Sequence, residues 1–180
     1  MDEAITRWIN AAAGQNAVVD AVVIGIATVG VPLVILAVVV QWWGRHHRIH
    51  LRHVAIEAAL ASLAALAVNQ LILLFVHRLR PYDAGVTNLI VSPSADWSFP
   101  SDHATVVFAI AATFALSNER KRTIAFLIAA FVISWSRVFI GTHYLSDVLG
   151  GAIIGIGVAV VVSTLYPKGS RVDKWLTNFL

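Results

Sequence analysis

The chain has 180 residues, of which 58% are hydrophobic and 13% charged, and its mean hydropathy is +0.78. A soluble domain carries about a quarter charged residues, so lipid is the expected solvent; a net charge of only +3 gives no case for a nucleic-acid partner. The absence of cysteine excludes disulfides, thiolate metal sites and cysteine nucleophiles.

The first residues, 1–13, open with Asp2 and Glu3 and have no basic stretch leading into an apolar one, so they do not read as a signal peptide. Ile5, Trp8, Ile9 and Ala12 recur at helical spacing, which predicts a short interfacial helix. Apolar runs then predict five spans: 17–43, which Gly30 and Pro32 are expected to bend, then 54–76, 103–116, 123–135 and 147–166. The third and fourth are short and need their polar ends to cross a core of about 30 Å. The expectation is a single all-α domain over 1–180. It is a polytopic membrane helix bundle of about five transmembrane spans plus the N-terminal interfacial helix.

Five spans put nine basic residues on one side: Arg45, Arg48, Arg52, Arg120, Lys121, Arg122, Lys168, Arg171 and Lys174. The other side receives four, Arg7, Arg78, Arg80 and Arg137. The positive-inside rule makes the richer side cytoplasmic. A multi-pass protein of the inner (plasma) membrane is expected, with the second side extracytoplasmic. Trp42, Trp43 and Tyr166 fall near the inner interface, and Tyr82, Trp97 and Tyr144 near the outer one, as an aromatic belt would.

The unusual polar residues collect at the outer span ends. Span two ends in His77-Arg78-Leu79-Arg80-Pro81, span three starts at Pro100-Ser101-Asp102-His103, span four ends in Ser136-Arg137, and His143 to Asp147 precede span five. Ionisable groups at a bilayer are costly and usually functional. Arginine forks match phosphate oxygens, and a neutral histidine can attack phosphorus while a protonated one supplies the leaving oxygen. His143 and Asp147, four apart, share a helical face; the carboxylate can then fix the imidazole tautomer, or simply cap a helix. Ser101 stands where a helix start favours an anion.

Pro100-Ser101-Asp102-His103 and Ser136-Arg137-x5-His143-x3-Asp147, with Arg80-Pro81 upstream, resemble the three signature motifs of the type 2 phosphatidic acid phosphatase superfamily. Ser-Phe-Pro-Ser-Asp-His and Asp147-Val148-Leu149-Gly150-Gly151 are most similar to its bacterial undecaprenyl-diphosphatase branch. The resemblance implies that His143 is a nucleophile forming a phosphohistidine, that Asp147 orients it and that His103 protonates the leaving group. Arg80, Ser101 and Arg137 would bind phosphate, with Arg78, His77 and Asp102 as further candidates. It implies no metal and no cofactor, and a lipid (pyro)phosphate substrate, undecaprenyl diphosphate in the first place, whose hydrolysis would serve cell-wall biogenesis. Two positions depart from the pattern. Leu73 stands where the first motif opens with lysine, so Arg78 or His77 is expected to compensate, and Asp102 stands where glycine is common.

Other readings stay open. Within the same superfamily the substrate could be phosphatidylglycerophosphate or phosphatidic acid. From a different class, a transporter could bind an anionic lipid without hydrolysing it, although anion binding needs no oriented base. His46, His47, His50 and His53 read as a basic cytoplasmic loop, with a metal at the His46–His50 pair as the rival. Gly150, Gly151, Gly155 and Gly157 read as a close helix contact, Asn69, Gln70 and Glu57 as facing other helices, and residues 82–97 as part of a headgroup pocket or lid. The oligomeric state is not encoded in any motif.

Overall fold

The computed structural model describes residues 1–44 and 48–178. Among them the chain forms α1 (Asp2–Asn10), α2 (Ala17–Val40) continuing into a 3-10 turn (Gln41–Trp43), α3 (Arg48–Leu73), α4 (Asp102–Leu116), α5 (Arg120–Phe139), α6 (Leu145–Leu165) and α7 (Arg171–Asn178). The protein is an all-α membrane bundle, as the composition requires. Among the described residues four helices are long and apolar enough to cross a bilayer: α2 with its 3-10 turn, α3, α5 and α6.

The third expected span remains short. α4 has 15 residues, about 22 Å of helix, against a hydrocarbon core of about 30 Å. Ten of those residues are buried, because α3, α5 and α6 pack around α4 while α2 lies outside against α5. A helix enclosed by others need not match the lipid. The fourth span does extend through its polar ends, to Arg120 and Phe139.

Small residues set how closely α6 approaches α4. A Cβ on Gly151 would lie 2.5 Å from the Ser101 carbonyl oxygen, and one on Gly155 would lie 2.9 Å from the Ala109 nitrogen. The contact brings the two helix starts together, and the Ser101 N–H donates to the Asp147 carbonyl at 3.1 Å. Gly157 does not share this role, since open space surrounds its Cβ position.

Alternating helix directions place α1, the segment 74–101 and the α5–α6 turn at one end of the bundle. The 3-10 turn, the α4–α5 connection and α7 lie at the other. At this far end the structure corrects the basic-loop reading: His50 and His53 sit in α3, and His53 is buried. Its Nδ1 meets Asp173 of α7 at 2.9 Å and its Nε2 meets Glu57 at 3.4 Å. His46 and His47, and with them the proposed His46–His50 metal pair, lie outside the described residues. Gln70 is exposed, whereas Asn69 and Glu57 are buried against other helices. Two expected belt aromatics are interior: Tyr166 donates to Asp173 at 2.9 Å, and Tyr144 lies beneath the Arg78 guanidinium, 3.8 Å from its ring centre.

Candidate active site

The α5–α6 turn is built to present His143. Gly141 takes φ +86°, and a Cβ there would lie 2.5 Å from the Asn88 carbonyl oxygen, so the tight return against residues 82–97 demands glycine. Thr142 then hooks back, its hydroxyl donating to the Arg137 carbonyl at 2.9 Å. Arg137 at the end of α5, His143 in the turn and Asp147 in the first turn of α6 are thereby fixed relative to one another.

His143 is 4% exposed. Its Nδ1–H donates to the Ser98 carbonyl at 2.8 Å, and the Asp147 Oδ2 stands at 3.6 Å. The direct acceptor is therefore a backbone carbonyl, with the carboxylate behind it. Asp147 is fully buried and well supplied with donors. Its Oδ2 accepts from the Ser98 hydroxyl at 2.5 Å and the Tyr144 N–H at 2.8 Å, and its Oδ1 from Arg78 Nη1 at 2.7 Å. The capping role and the orienting role thus coexist in one side chain. With Nδ1 carrying the proton, Nε2 keeps its lone pair and faces Arg80 Nη1 at 3.4 Å. Burial pushes the His143 imidazole below its ordinary pKa, helped by the charges of Arg137 and Arg80 and opposed by Asp147. The ring is neutral at pH 7, as an attacking nitrogen must be.

Arg80 is 5% exposed and is held by the Asp96 carbonyl at 2.9 Å, the Thr142 carbonyl at 2.9 Å and the Asp96 carboxylate at 3.2 Å. The Ser94 hydroxyl, followed by Arg80 and despite burial, holds the Asp96 carboxyl below the ordinary range. The Ser101 Oγ and the Arg137 Nε are buried without a hydrogen-bond partner. Buried polar atoms are normally satisfied, so orphans beside a cation pair mark a place for an anion. The charges of Arg137, His143 and Arg80 all act on His103, which is half-buried at the start of α4. Four of the expected residues therefore lie within electrostatic reach of one another, His143, His103, Arg80 and Arg137, and Ser101 stands at the start of the same helix as His103 with its N–H on the Asp147 carbonyl.

The three further candidates are placed differently. Arg78 directs its guanidinium to Asp147, Ser146 and Asp2, so it is committed to carboxylates. His77 is exposed and stacks obliquely on Trp97 at 5.0 Å. Asp102 accepts from the Asn69 amide at 2.6 Å, which settles a carboxylate near the anion site without recruiting a cation. Sequence reasoning missed four contributors: Ser98, Asp96, Thr142 and Asp2. Ser98 and Thr142 act through backbone carbonyls, which no residue type announces. Residues 82–97 cover this end, with Thr87 donating to the Gly141 carbonyl at 3.0 Å and Tyr82 to the Ser94 carbonyl at 2.9 Å.

A separate apolar cavity lies elsewhere. A groove of about 560 Å³ between α2, α3 and α4 is lined by residues such as Val38, Trp42, Ser62 and Ile110, with no titratable group among its lining. Among the described residues no group of three or more His, Cys, Asp or Glu is disposed to hold a metal.

Comparison with known proteins agrees with this geometry. The PAP2 superfamily model matches residues 54–171. The chain is similar to the undecaprenyl-diphosphatase BcrC of Bacillus subtilis, 31% identical over 87% of this chain and 79% of the relative. It is similar to the putative undecaprenyl-diphosphatase YbjG of Escherichia coli, 37% identical over 70% of this chain and 61% of the relative. Its fold is that of the PAP2-type phosphatidylglycerolphosphate phosphatase of Bacillus subtilis, with a TM-score of 0.68 at 24% identity over 94% of this chain and 86% of that one. The chain belongs to the PAP2 superfamily of membrane lipid phosphatases.

Proposed function

We propose that this membrane phosphatase hydrolyses the terminal phosphate of a lipid pyrophosphate, undecaprenyl diphosphate above other lipids, through a phosphohistidine on His143. The observation that carries the reading is the His143 Nε2 lone pair, set beside Arg80 at 3.4 Å and within reach of the Arg137 charge, in a protein where Arg137 Nε and Ser101 Oγ are both buried without partners. Terminal phosphate oxygens would take up those donors and both guanidinium groups, which also stabilise the charge of the transition state. Nε2 attacks phosphorus, the bond from phosphorus to the bridging oxygen breaks, and His103 gives that oxygen its proton. His103 then takes a proton from water, which attacks the phosphohistidine and releases inorganic phosphate and neutral His143. Burial, then the charges of Arg137, His143 and Arg80, push the His103 pKa down to about 3 in the free protein, so the negative charge of the bound substrate is what would raise it enough to act as the acid.

The preference for undecaprenyl diphosphate is supported by the names of the two curated relatives. Phosphatidylglycerophosphate is the rival, since a fold neighbour acts on it. The test is phosphate release by the purified protein from undecaprenyl diphosphate, phosphatidylglycerophosphate and phosphatidic acid at equal surface concentration. The highest kcat/KM is expected on the diphosphate. Release from none of the three would leave the anionic-lipid transporter reading in possession.

We infer further that the site faces away from the cytoplasm, as the nine-to-four division of basic residues supports. The chain has no native thiol, so single cysteines at the exposed Ala84 and Lys121 report their own sides. A membrane-impermeant maleimide applied to intact spheroplasts is expected to label position 84 and spare position 121. The reverse pattern would put the chemistry in the cytoplasm.

A further inference from the structure

We propose that Asp2 is a positioning residue of the reaction centre, acting through Arg78 on the Asp147 carboxylate behind His143. The proposal rests on the reading of His143 as nucleophile.

α1 turns a polar face to the protein. Asp2, Thr6 and Asn10 follow one another at four-residue spacing, so they share that face; Thr6 is fully buried and Asn10 is 4% exposed. Met1 and Trp8 point outward. Asn10 clamps the end of α5 and the covering segment, donating to the Phe139 carbonyl at 2.7 Å and the Asn88 carbonyl at 2.9 Å. Thr6 Oγ1 accepts from the Leu145 N–H at 3.0 Å, and Asp2 Oδ1 accepts from the Ser146 N–H at 3.0 Å. These are two of the donors that the first turn of a helix leaves unpaired. A remote helix therefore caps α6, whose first turn carries Asp147.

Docking alone would not require the remaining bonds. Asp2 Oδ2 accepts from Arg78 Nη2 at 2.7 Å and from the Ser146 hydroxyl at 2.5 Å, while Arg78 Nη1 donates to Asp147 Oδ1 at 2.7 Å. One guanidinium thus bridges two carboxylates, the second of which lies 3.6 Å from the His143 Nδ1. Burial opposes ionisation of Asp2, but the Ser146 hydroxyl and Arg78 outweigh it and hold the carboxyl below its ordinary range. Arg78 by itself would neutralise Asp147. With Asp2 charged, the trio carries one net negative charge behind an imidazole that becomes positive when Nε2 binds phosphorus. The arrangement is worth most in the transition state, so its loss should appear in kcat.

The experiment uses the full chain in detergent with undecaprenyl diphosphate carrying a labelled terminal phosphate. Steady-state kinetics and single-turnover labelling of the protein, quenched in alkali, are compared for wild type, Asp2→Asn, Asp2→Glu, Arg78→Met and the Asp2→Asn/Arg78→Met pair. Asp2→Asn is expected to lower kcat and the labelling rate by about tenfold with KM within about twofold. Asp2→Glu should recover most of the loss. On the Arg78→Met background the Asp2 change should add less than about twofold, because its route is already cut. An Asp2→Asn enzyme with wild-type kcat, additive losses, or an Asp2→Glu enzyme no better than Asp2→Asn overturns the proposal. A wild-type enzyme that releases phosphate yet never carries label on His143 removes the nucleophile reading, and this proposal with it. Active, labelled wild type beside an unaffected Asp2→Asn removes the proposal alone.

Discussion

Two buried histidines, each four residues ahead of a carboxylate, occupy opposite ends of the bundle: His143 before Asp147, and His53 before Glu57. In sequence the pairs look alike. In space they differ at one nitrogen. Both ring nitrogens of His53 meet carboxylates, Asp173 at 2.9 Å and Glu57 at 3.4 Å, and its ring stacks on Tyr166 at 5.0 Å. His143 gives Nδ1–H to the Ser98 carbonyl at 2.8 Å, and its Nε2 faces the Arg80 guanidinium at 3.4 Å. An imidazole between two carboxylates fastens α7 to α3; one whose second nitrogen meets only a guanidinium N–H keeps a lone pair that an incoming phosphorus can take over. Burial and spacing do not distinguish the two, but the partner at the second nitrogen does.

Exchanging the perturbation between ends gives the largest contrast. His143→Ala should lower kcat by well over about a hundredfold, since no other group can carry the phosphoryl intermediate, while the melting temperature stays close to wild type. His53→Ala should do the reverse. It leaves Asp173 and Glu57 buried without their partner, a cost of about 3–5 kcal/mol, and should keep kcat within about threefold. Thermal melting and phosphate release on the same preparations check both, and a dead but stable His53→Ala would dissolve the distinction.

A smaller effect sharpens what Asp147 contributes. Because the Nδ1–H of His143 rests on the Ser98 carbonyl at 2.8 Å, Asp147→Asn should preserve the tautomer while losing the charge and at least one accepted hydrogen bond, since both carboxylate oxygens face donors. Removing a charge-assisted bond costs about 1.5–3 kcal/mol, so kcat should fall by roughly ten- to a hundredfold, less than for His143→Ala. Equal losses in the two variants would mean that Asp147, and not the carbonyl, selects the reactive tautomer.

The smallest effect is on pH dependence. Burial lowers the His143 pKa, so the neutral nucleophile persists on acidification past the ordinary histidine value of about 6.5. The acid limb of kcat/KM should lie below pH 6.5, and in Asp147→Asn it should move lower still, because the carboxylate opposes the shift. At the far end Asp173 is opposed by burial, yet the Gly169 N–H, His53 and Tyr166 lower its pKa. A depressed carboxyl adds stability that is present above its unfolded value of about 3.9 and is lost as pH falls through the folded one. The melting temperature should therefore show no loss from Asp173 across pH 5.5–7.5. An acid limb that tracks melting would report unfolding and not the nucleophile.

Much of the site was legible because its residues are chemically costly where they stand. Arg80, Arg137, His103 and His143 are polar groups at the ends of apolar runs, and their spacing carries the family signature. Helix number was legible from apolar run length, the short third run included: α4 stays at 15 residues because other helices pack around it. The histidines after Trp43 did mislead. His53 reads as one more basic loop residue until α7 folds back and sets Asp173 on it.

The sequence by itself determined the solvent and the helical class, and it named the groups proposed to move a phosphate, because these follow from composition, from period and from residue chemistry with its family signature. Tertiary structure alone decided which nitrogen of His143 carries the proton, that a carbonyl from residue 98 orients it, that Arg78 is committed to Asp147 and Asp2, and that Asp2 joins the network across 145 residues of chain to Asp147. Those outcomes depend on hydrogen bonds between distant segments. Such bonds are chosen by the packing that brings their donors and acceptors within 3 Å, and no local pattern in the chain records that choice.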